Sequence, residues 1–516
     1  MLPEFKNEPF LDFTKDEVKK KMKDALQKVK AELGKEYPLI IDGKEVRTGK
    51  KLKSINPARP DEVVGEVHLA TKDEVEKAIE SAWKAFEEWK RVPAWERAGV
   101  LLKAAKILRE RRYEFNAWLC YEIGKTWPEA DGETAEAIDF LEFYAREAIR
   151  YSQIEGVTPL EGEFNELRYI PLGAGVVIPP WNFGLSILCG MTSAAIVTGN
   201  TVILKPSSDS PVIGYKFAEI MYEAGLPDGV LNFLPGKGAE VGDTLTSHPK
   251  TRFIAFTGSK DVGLRIVELA GKTSPGQIWI KRVIAEMGGK DAIIVDDEAD
   301  LEDAVKGVVA SAYGYSGQKC SACSRLILLE SIYNKFIDML VEATKKIKVD
   351  YPEKEDTFMG PVINERAEKK ILGYIEVGKK EGKLILGGNK IKDLEGYFIE
   401  PTIFKDVDEN ARIAQEEIFG PVLAVIKAKD FDDALRIANN TIYGLTGSVY
   451  TKNRMKIAKA KEEFHCGNLY INRKCTGALV GAHPFGGFNM SGTDSKAGGK
   501  DYLLLFLQAK AISERL

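Results

Sequence analysis

Residues 174–206 read "AGVVIPPWNFGLSILCGMTSAAIVTGNTVILKP", and how this stretch is parsed decides the fold. "AGVVIP" (174–179) and "TVILKP" (201–206) are short apolar runs, the pattern of strands buried on both faces. Between them, "LSILCGMTSAAIVTG" (185–199) is too short and too rich in Ser, Thr and Gly for a membrane span, and reads as a buried helix. "RFIAFTGS" (252–259) continues the alternation, which predicts a parallel sheet with helices on its faces. "DAIIVDD" (291–297), "SRLILLE" (324–330) and "PVLAVIKA" (421–428) form a second series, so a domain boundary is expected near 285.

Upstream, residues 15–33 place Val18, Met22, Ala25, Leu26 and Val29 at helical spacing under a charged outer face. "YPLIIDGKEV" brackets Asp42-Gly43 with apolar pieces, a hairpin signal. Val75, Ala78, Ile79, Ala82, Trp83 and Phe86 make a helical stripe, and a long helical region runs through 135–152. "LLLFLQAKAI" (503–512) reads as an apolar strand that is costly to leave in water, so it is expected to pair with another subunit.

A chain of 516 residues with 44% hydrophobic and 29% charged side chains predicts two or three globular domains. The net charge of −4 comes from 73 basic and 77 acidic groups well mixed along the chain, which excludes a nucleic-acid-binding face. No stretch has the length of a membrane span, and the N-terminus lacks the order of a secretion signal. Six unevenly spaced cysteines make no disulfide framework, so the expected setting is cytoplasmic with reduced thiols. The four histidines include no close metal-binding pair, and no metal site is expected.

Two of the cysteines, Cys320 and Cys323, stand three apart in "GYSGQKCSACSRLIL" (314–328). As half a zinc site they lack a second C-x-x-C, and as a redox dithiol they precede a strand instead of opening a helix. Two buried packing thiols would be the ordinary reading. The neighbours favour one nucleophile instead: Gly314, Ser316 and Gly317 allow close backbone approach, Lys319 would favour thiolate, and small Ser321 and Ala322 leave room for a ligand. Such a thiol needs a base and a donor for an oxyanion. Glu286, ending an apolar run beside two glycines, suits a weakly acidic base, although an exposed strand-end carboxylate fits that pattern equally. Asn182, after a strand and a double proline, offers an amide, although a plain turn Asn has the same signature.

Taken in order, "PPWNFGLS", "LKPSSDSP", "FTGSKDVG", "AEMGGKD", "GQKCSACSR", "EEIFGPV" and "PFGGFNMSG" resemble the aldehyde dehydrogenase superfamily over roughly residues 40 to 516. The resemblance implies an α/β fold with a Rossmann-type cofactor domain, an α/β catalytic domain and a small β oligomerisation element. It places a helical N-terminal extension at 1–40 and the NAD-binding domain at 41–148 and 170–285. The catalytic domain is expected at 286–485, and the oligomerisation element with the C-terminal tail at 149–169 and 486–516. It makes Cys320 the nucleophile, Asn182 the oxyanion donor, Glu286 the water-activating base and Cys323 a bystander, in a homodimer or higher homo-oligomer.

For the cofactor, the usual fingerprint is missing, since "PGKGAEVG" is one residue too long for G-x-G-x-x-G. The resemblance instead implies Gly238, Gly242 and Ser259 in the cofactor site, Lys205 on the adenosine ribose, Glu417 on the nicotinamide ribose with Phe419 beside it, and Ile178 and Trp181 lining the cleft. NAD is the expected cofactor. Ser208 stands where many NAD-preferring members carry a Glu that would repel a 2′-phosphate, which leaves NADP use open.

For the substrate, "TGALVGAHPFGG" and "AEAIDFLEFYAREA" resemble members that oxidise L-glutamate 5-semialdehyde, formed by ring-opening of 1-pyrroline-5-carboxylate, to L-glutamate in the second step of proline degradation. By that likeness Ser321 and the backbone N–H groups of Gly477 and Ala478 hold the α-carboxylate, Glu136 lies near the aldehyde end and Phe485 packs on the methylene stem. Rival expectations are a dehydrogenase for another small anionic aldehyde, such as succinate semialdehyde, and a cysteine hydrolase with no redox step.

Overall fold

The stretch 174–206 forms strand Ala174–Ile178, helix Ser186–Val197 and strand Thr201–Leu204. They belong to a computed structural model that describes residues 2–153 and 155–516. Val176, Val177, Val202 and Leu204 are wholly buried, each contributing about 1.5–3 kcal/mol by leaving water.

Around this unit grows a seven-stranded sheet in the order Arg282–Glu286, Phe253–Thr257, Ala174–Ile178, Thr201–Leu204, Leu231–Phe233, Leu39–Ile41, Lys44–Val46. The first five strands are parallel, and the hairpin closes one edge in antiparallel register, turning at Asp42 and Gly43 with φ of 53° and 70°. Strand order reverses between Ala174–Ile178 and Phe253–Thr257, the place where parallel sheets open a crevice beyond their carboxyl ends.

A second seven-stranded sheet runs Lys383–Leu386, Thr402–Lys405, Val422–Ala428, Cys323–Leu329, Asp291–Val295, Thr446–Tyr450, Asn468–Ile471, parallel except for its first edge strand. Glu286 ends a strand of the first sheet and Asp291 begins the second, so four residues carry the chain between them. Among the described residues no helix is long and apolar enough to cross a membrane.

Two local expectations are corrected. Helix Asp16–Lys30 forms as read and Leu39–Ile41 is the first strand of the expected hairpin, but Lys35–Tyr37 is a strand inside the segment expected to be a helical extension. Tyr37 and Leu39 reach buried positions in the sheets, which outweighs any continuation of the helix past Gly34. At the other end, 502–506 is a tight helical turn because Leu503 and Phe506 turn into the core, and the strand is Leu507–Arg515. That strand pairs along its whole length with Glu163–Pro171 of the same chain, from Leu507 opposite Pro171 to Arg515 opposite Glu163, so its backbone is first satisfied internally.

Candidate functional site

The candidate catalytic residues lie at the carboxyl edge of the first sheet, facing a turn of the second. Ile178 ends its strand, Pro179 and Pro180 stiffen the loop beyond it, and Asn182 is 4% exposed. The Asn182 side-chain amide donates to the carbonyl oxygen of Gln318 at 3.0 Å, two residues before Cys320. An NH2 group has a second hydrogen, for which no acceptor stands among the described residues.

The thiol turn is held hard. Tyr315, Ser316 and Gly317 have φ of 52°, 56° and 67°, and a Cβ at Gly317 would stand 2.3 Å from Gly420 O, so only glycine fits. Tyr315 OH donates to Ile123 O at 2.8 Å and Ser316 Oγ to Gly360 O at 2.7 Å. Gln318 is buried and donates to Pro361 O at 3.2 Å while accepting from Ile363 N at 2.8 Å. Gln318 therefore fixes the carbonyl that orients Asn182, a role its sequence neighbourhood did not show.

Among the described residues Cys320 is the one cysteine not buried; Cys323 packs in the second core, its Sγ donating to Arg325 O at 3.4 Å. All six thiols are free. Burial, and after it the carboxyl groups of Asp291, Glu417 and Glu286, push the Cys320 thiol up. The expected activation by Lys319 is corrected: its ammonium pairs with Glu129 at 2.8 Å, and burial with the nearby carboxyl groups dominates at the thiol instead.

Glu286 is 8% exposed, with Oε1 accepting from Ser495 Oγ and Oε2 from Gly487 N at 3.3 Å. Burial pushes its carboxyl up to about 8, with the Ser495 hydroxyl acting the other way. The pattern that left an exposed strand-end Glu open is thus decided by the segment 485–495 folding over it. Met287 N donates to Ser491 O at 2.7 Å, which seats that segment.

Glu417 Oε1 accepts from Gly289 N at 3.1 Å, and a side chain at Gly288 would strike its carboxylate at 2.3 Å. Phe419, at φ 63°, sets its ring 5.7 Å from Trp181 in an edge contact. Lys205 is 5% exposed; its Nζ donates to Pro206 O at 3.2 Å and, among the described residues, meets no carboxylate. Burial pushes it down to about 8. Gly242 lies on it, with 3.6 Å from an added Cβ to Lys205 Cε, while a Cβ at Gly238 would meet open space. Ser259 sits at the start of helix Lys260–Gly271. A buried ammonium without an anion, a seated carboxylate and an open glycine turn fit a dinucleotide, whose ribose hydroxyls and phosphates supply the missing partners.

Ser208 lines a cavity of about 300 Å³ together with Asp209, Lys53 and Arg366. Ser208→Glu is expected to lower kcat/KM with NADP+ at least about 10-fold relative to NAD+, by like-charge repulsion; steady-state rates with both cofactors check it.

Ser321 is tied to the loop after Asn468–Ile471, since Cys475 Sγ donates to Ser321 O at 3.3 Å. Gly477, two residues after Cys475, turns with φ 74°, and Ala478 follows it. Phe485 is half-buried and doubly bonded to Ala497 through N and O at 2.8 Å. Glu136, on helix Trp127–Tyr151, is pushed up to about 7 by burial, with the Ser186 hydroxyl of the neighbouring helix Ser186–Val197 acting the other way and Glu133 adding to the rise. The acidic trio Asp296, Asp297 and Glu298 already holds an ammonium, with Lys456 Nζ at 2.7, 3.4 and 3.0 Å.

The aldehyde dehydrogenase family model matches residues 44–512, most of the chain. The chain belongs to the aldehyde dehydrogenase family. This family member is 59% identical over 514 residues to 1-pyrroline-5-carboxylate dehydrogenase of Geobacillus sp. (strain WCH70), covering 100% of both chains. It is 56% identical over 510 residues to the protein of the same name from Bacillus subtilis (strain 168), covering 99% of both. A crystal structure of 1-pyrroline-5-carboxylate dehydrogenase from Thermus with bound NAD superposes with a TM-score of 0.98 at 53% identity, covering 100% of both chains.

Asn182→Ala is expected to lower kcat about 100- to 1,000-fold with little change in KM, the loss typical of an oxyanion donor. Steady-state kinetics of the purified variant check it.

Proposed function

We infer that the chain oxidises L-glutamate 5-semialdehyde, the ring-opened form of 1-pyrroline-5-carboxylate, to L-glutamate with NAD+ as acceptor, in proline degradation. The single observation that carries the mechanism is the Asn182 side-chain amide donating to Gln318 O in the turn that bears Cys320, which brings an amide donor to the candidate nucleophile. The partly exposed Cys320 thiol gives its proton to water in the cleft, its thiolate sulfur attacks the aldehyde carbon, and the new alkoxide of the thiohemiacetal is stabilised by Asn182 Nδ2 and the Cys320 N–H. NAD+, when bound by Lys205, Ser208, Gly238, Gly242, Ser259, Glu417 and Phe419 with Ile178 and Trp181, supplies the acceptor for the hydride. Glu286 takes a proton from water, which adds to the Cys320 thioester and releases L-glutamate and the thiol. Ser321 and the N–H groups of Gly477 and Ala478 would hold the α-carboxylate, Phe485 the stem, and Glu136 a flank of the substrate cleft.

The domain roles proposed are cofactor binding by 41–148 and 170–285, catalysis by 286–485, and assembly through 149–169 and 486–516 after the N-terminal extension 1–40. The outer edge of the Leu507–Arg515 pairing suits a homodimer, and six free thiols suit the cytoplasm. The test is NADH formation with 1-pyrroline-5-carboxylate against succinate semialdehyde and simple aldehydes. Strong preference for the first supports the reading. Equal use of succinate semialdehyde removes the amino-acid anchor, and no reduction with any aldehyde moves the site to thiol hydrolysis.

A further inference from the structure

Lys125 and Glu133 touch no reacting group of the proposed mechanism, yet both side chains are wholly buried and their charges stand 2.6 Å apart. An ion pair stripped of water is generally no more stabilising than an apolar pair of the same volume, so its location calls for a role in register. Glu133 Oε1 accepts from Leu185 N at 2.7 Å and Ser186 N at 3.2 Å, donors left free where helix Ser186–Val197 begins, three and four residues after Asn182. Lys125 Nζ lies 3.9 Å from the ring centre of Phe183, next to Asn182, and 4.6 Å from that of Tyr315, in the thiol turn. Among the described residues it makes no hydrogen bond; beyond Glu133 it meets those two rings, and its charge also draws down the carboxyl groups of Glu129 and Glu136. Tyr315 returns the contact by bonding Ile123 O, two residues before Lys125.

We propose that the buried Lys125–Glu133 pair is the positioning device of the oxyanion site, gripping the Asn182 loop with one member and both loops with the other, and so setting the gap between amide and thiol. This rests on the roles proposed for Asn182 and Cys320. The pair joins helix 127–151, the loop 179–185 and the turn 314–317 at one point, where the two loops meet through Asn182 and Gln318.

Removing one charge leaves the other buried and unpaired, so the test is the double variant Lys125→Met with Glu133→Gln in the full chain. Expected are a kcat lower by about 10- to 100-fold, an aldehyde KM and NAD+ affinity within about twofold, and an unchanged rate of Cys320 alkylation by iodoacetamide. The deciding readout is coupling. Adding Asn182→Ala to the double variant should cost less than about threefold, far below its effect in the parent, because the pair acts through that amide. Full activity in the folded double variant, or an undiminished Asn182→Ala effect within it, overturns the proposal. Should the double variant not fold, Phe183→Leu removes one ring without touching charge, and the same non-additivity with Asn182→Ala is required. If Asn182→Ala alone leaves kcat intact, the assignment of the amide has failed, and the clamp falls with it as a separate, recognisable result.

Discussion

Replacing Cys320 with alanine is expected to lower aldehyde oxidation by roughly 10⁴-fold or more, with NAD+ binding retained. The reason is geometric as well as chemical. Among the described residues Cys320 is the one cysteine not fully buried, and the nearby Cys323 is locked in the second core, so no other thiol can take over. The loss should be accompanied by little change in thermal unfolding, because a half-buried thiol bordering a cleft contributes little packing. Cys323→Ala is the contrasting control: it removes a buried side chain and should act on stability while leaving the reaction in place. Single-turnover NADH formation together with a melting curve separates the two. A Cys320→Ala enzyme that still reduces NAD+ with substrate would remove the covalent mechanism.

The second large effect is on the water step. Glu286→Gln is expected to cut steady-state turnover by about 100- to 10,000-fold while preserving a burst of about one NADH per site, since thiol attack does not need the carboxylate that activates water. The same group sets the wild-type pH profile. Its carboxyl is pushed up to about 8 by burial, so below that pH it is mostly protonated and cannot accept a proton from water. Where thioester hydrolysis limits, turnover should therefore rise tenfold per pH unit toward about 8 and level off above it, and the rise should vanish in Glu286→Gln. Rapid-mix kinetics across pH 6 to 9, about three units spanning that value, reads both quantities. A flat profile would mean that Glu286 is already ionised and that its hydrogen bonds from Ser495 and Gly487 outweigh its burial.

Much of this molecule is written in local pattern. The apolar runs at 174–179, 201–206 and 252–259 became strands because each is buried on both faces, and Asp42-Gly43 turned its hairpin because both residues accept positive φ. Cys320 stood out as a candidate from its neighbours, whereas Asn182 and Glu286 were candidates that local pattern left open between a site role and a plain turn or strand end, and the family resemblance gave all three their expected roles. Partner choice was not legible. Lys319 stands next to the thiol in sequence but spends its charge on Glu129, 190 residues away. The C-terminal run had the composition of a strand, yet Leu503 and Phe506 turned into the core and moved its start to Leu507. Gln318, Lys125 and Glu133 gave no signal of their own, because what they do depends on carbonyls, amides and rings delivered by other segments. The sequence by itself determined the strand and helix order and the chemical types available for the site. Only the tertiary structure decided which carboxylate is buried enough to be a weak acid, which cation is spent elsewhere, and which amide is bonded to the thiol turn, because desolvation and hydrogen-bond geometry arise only when distant segments pack.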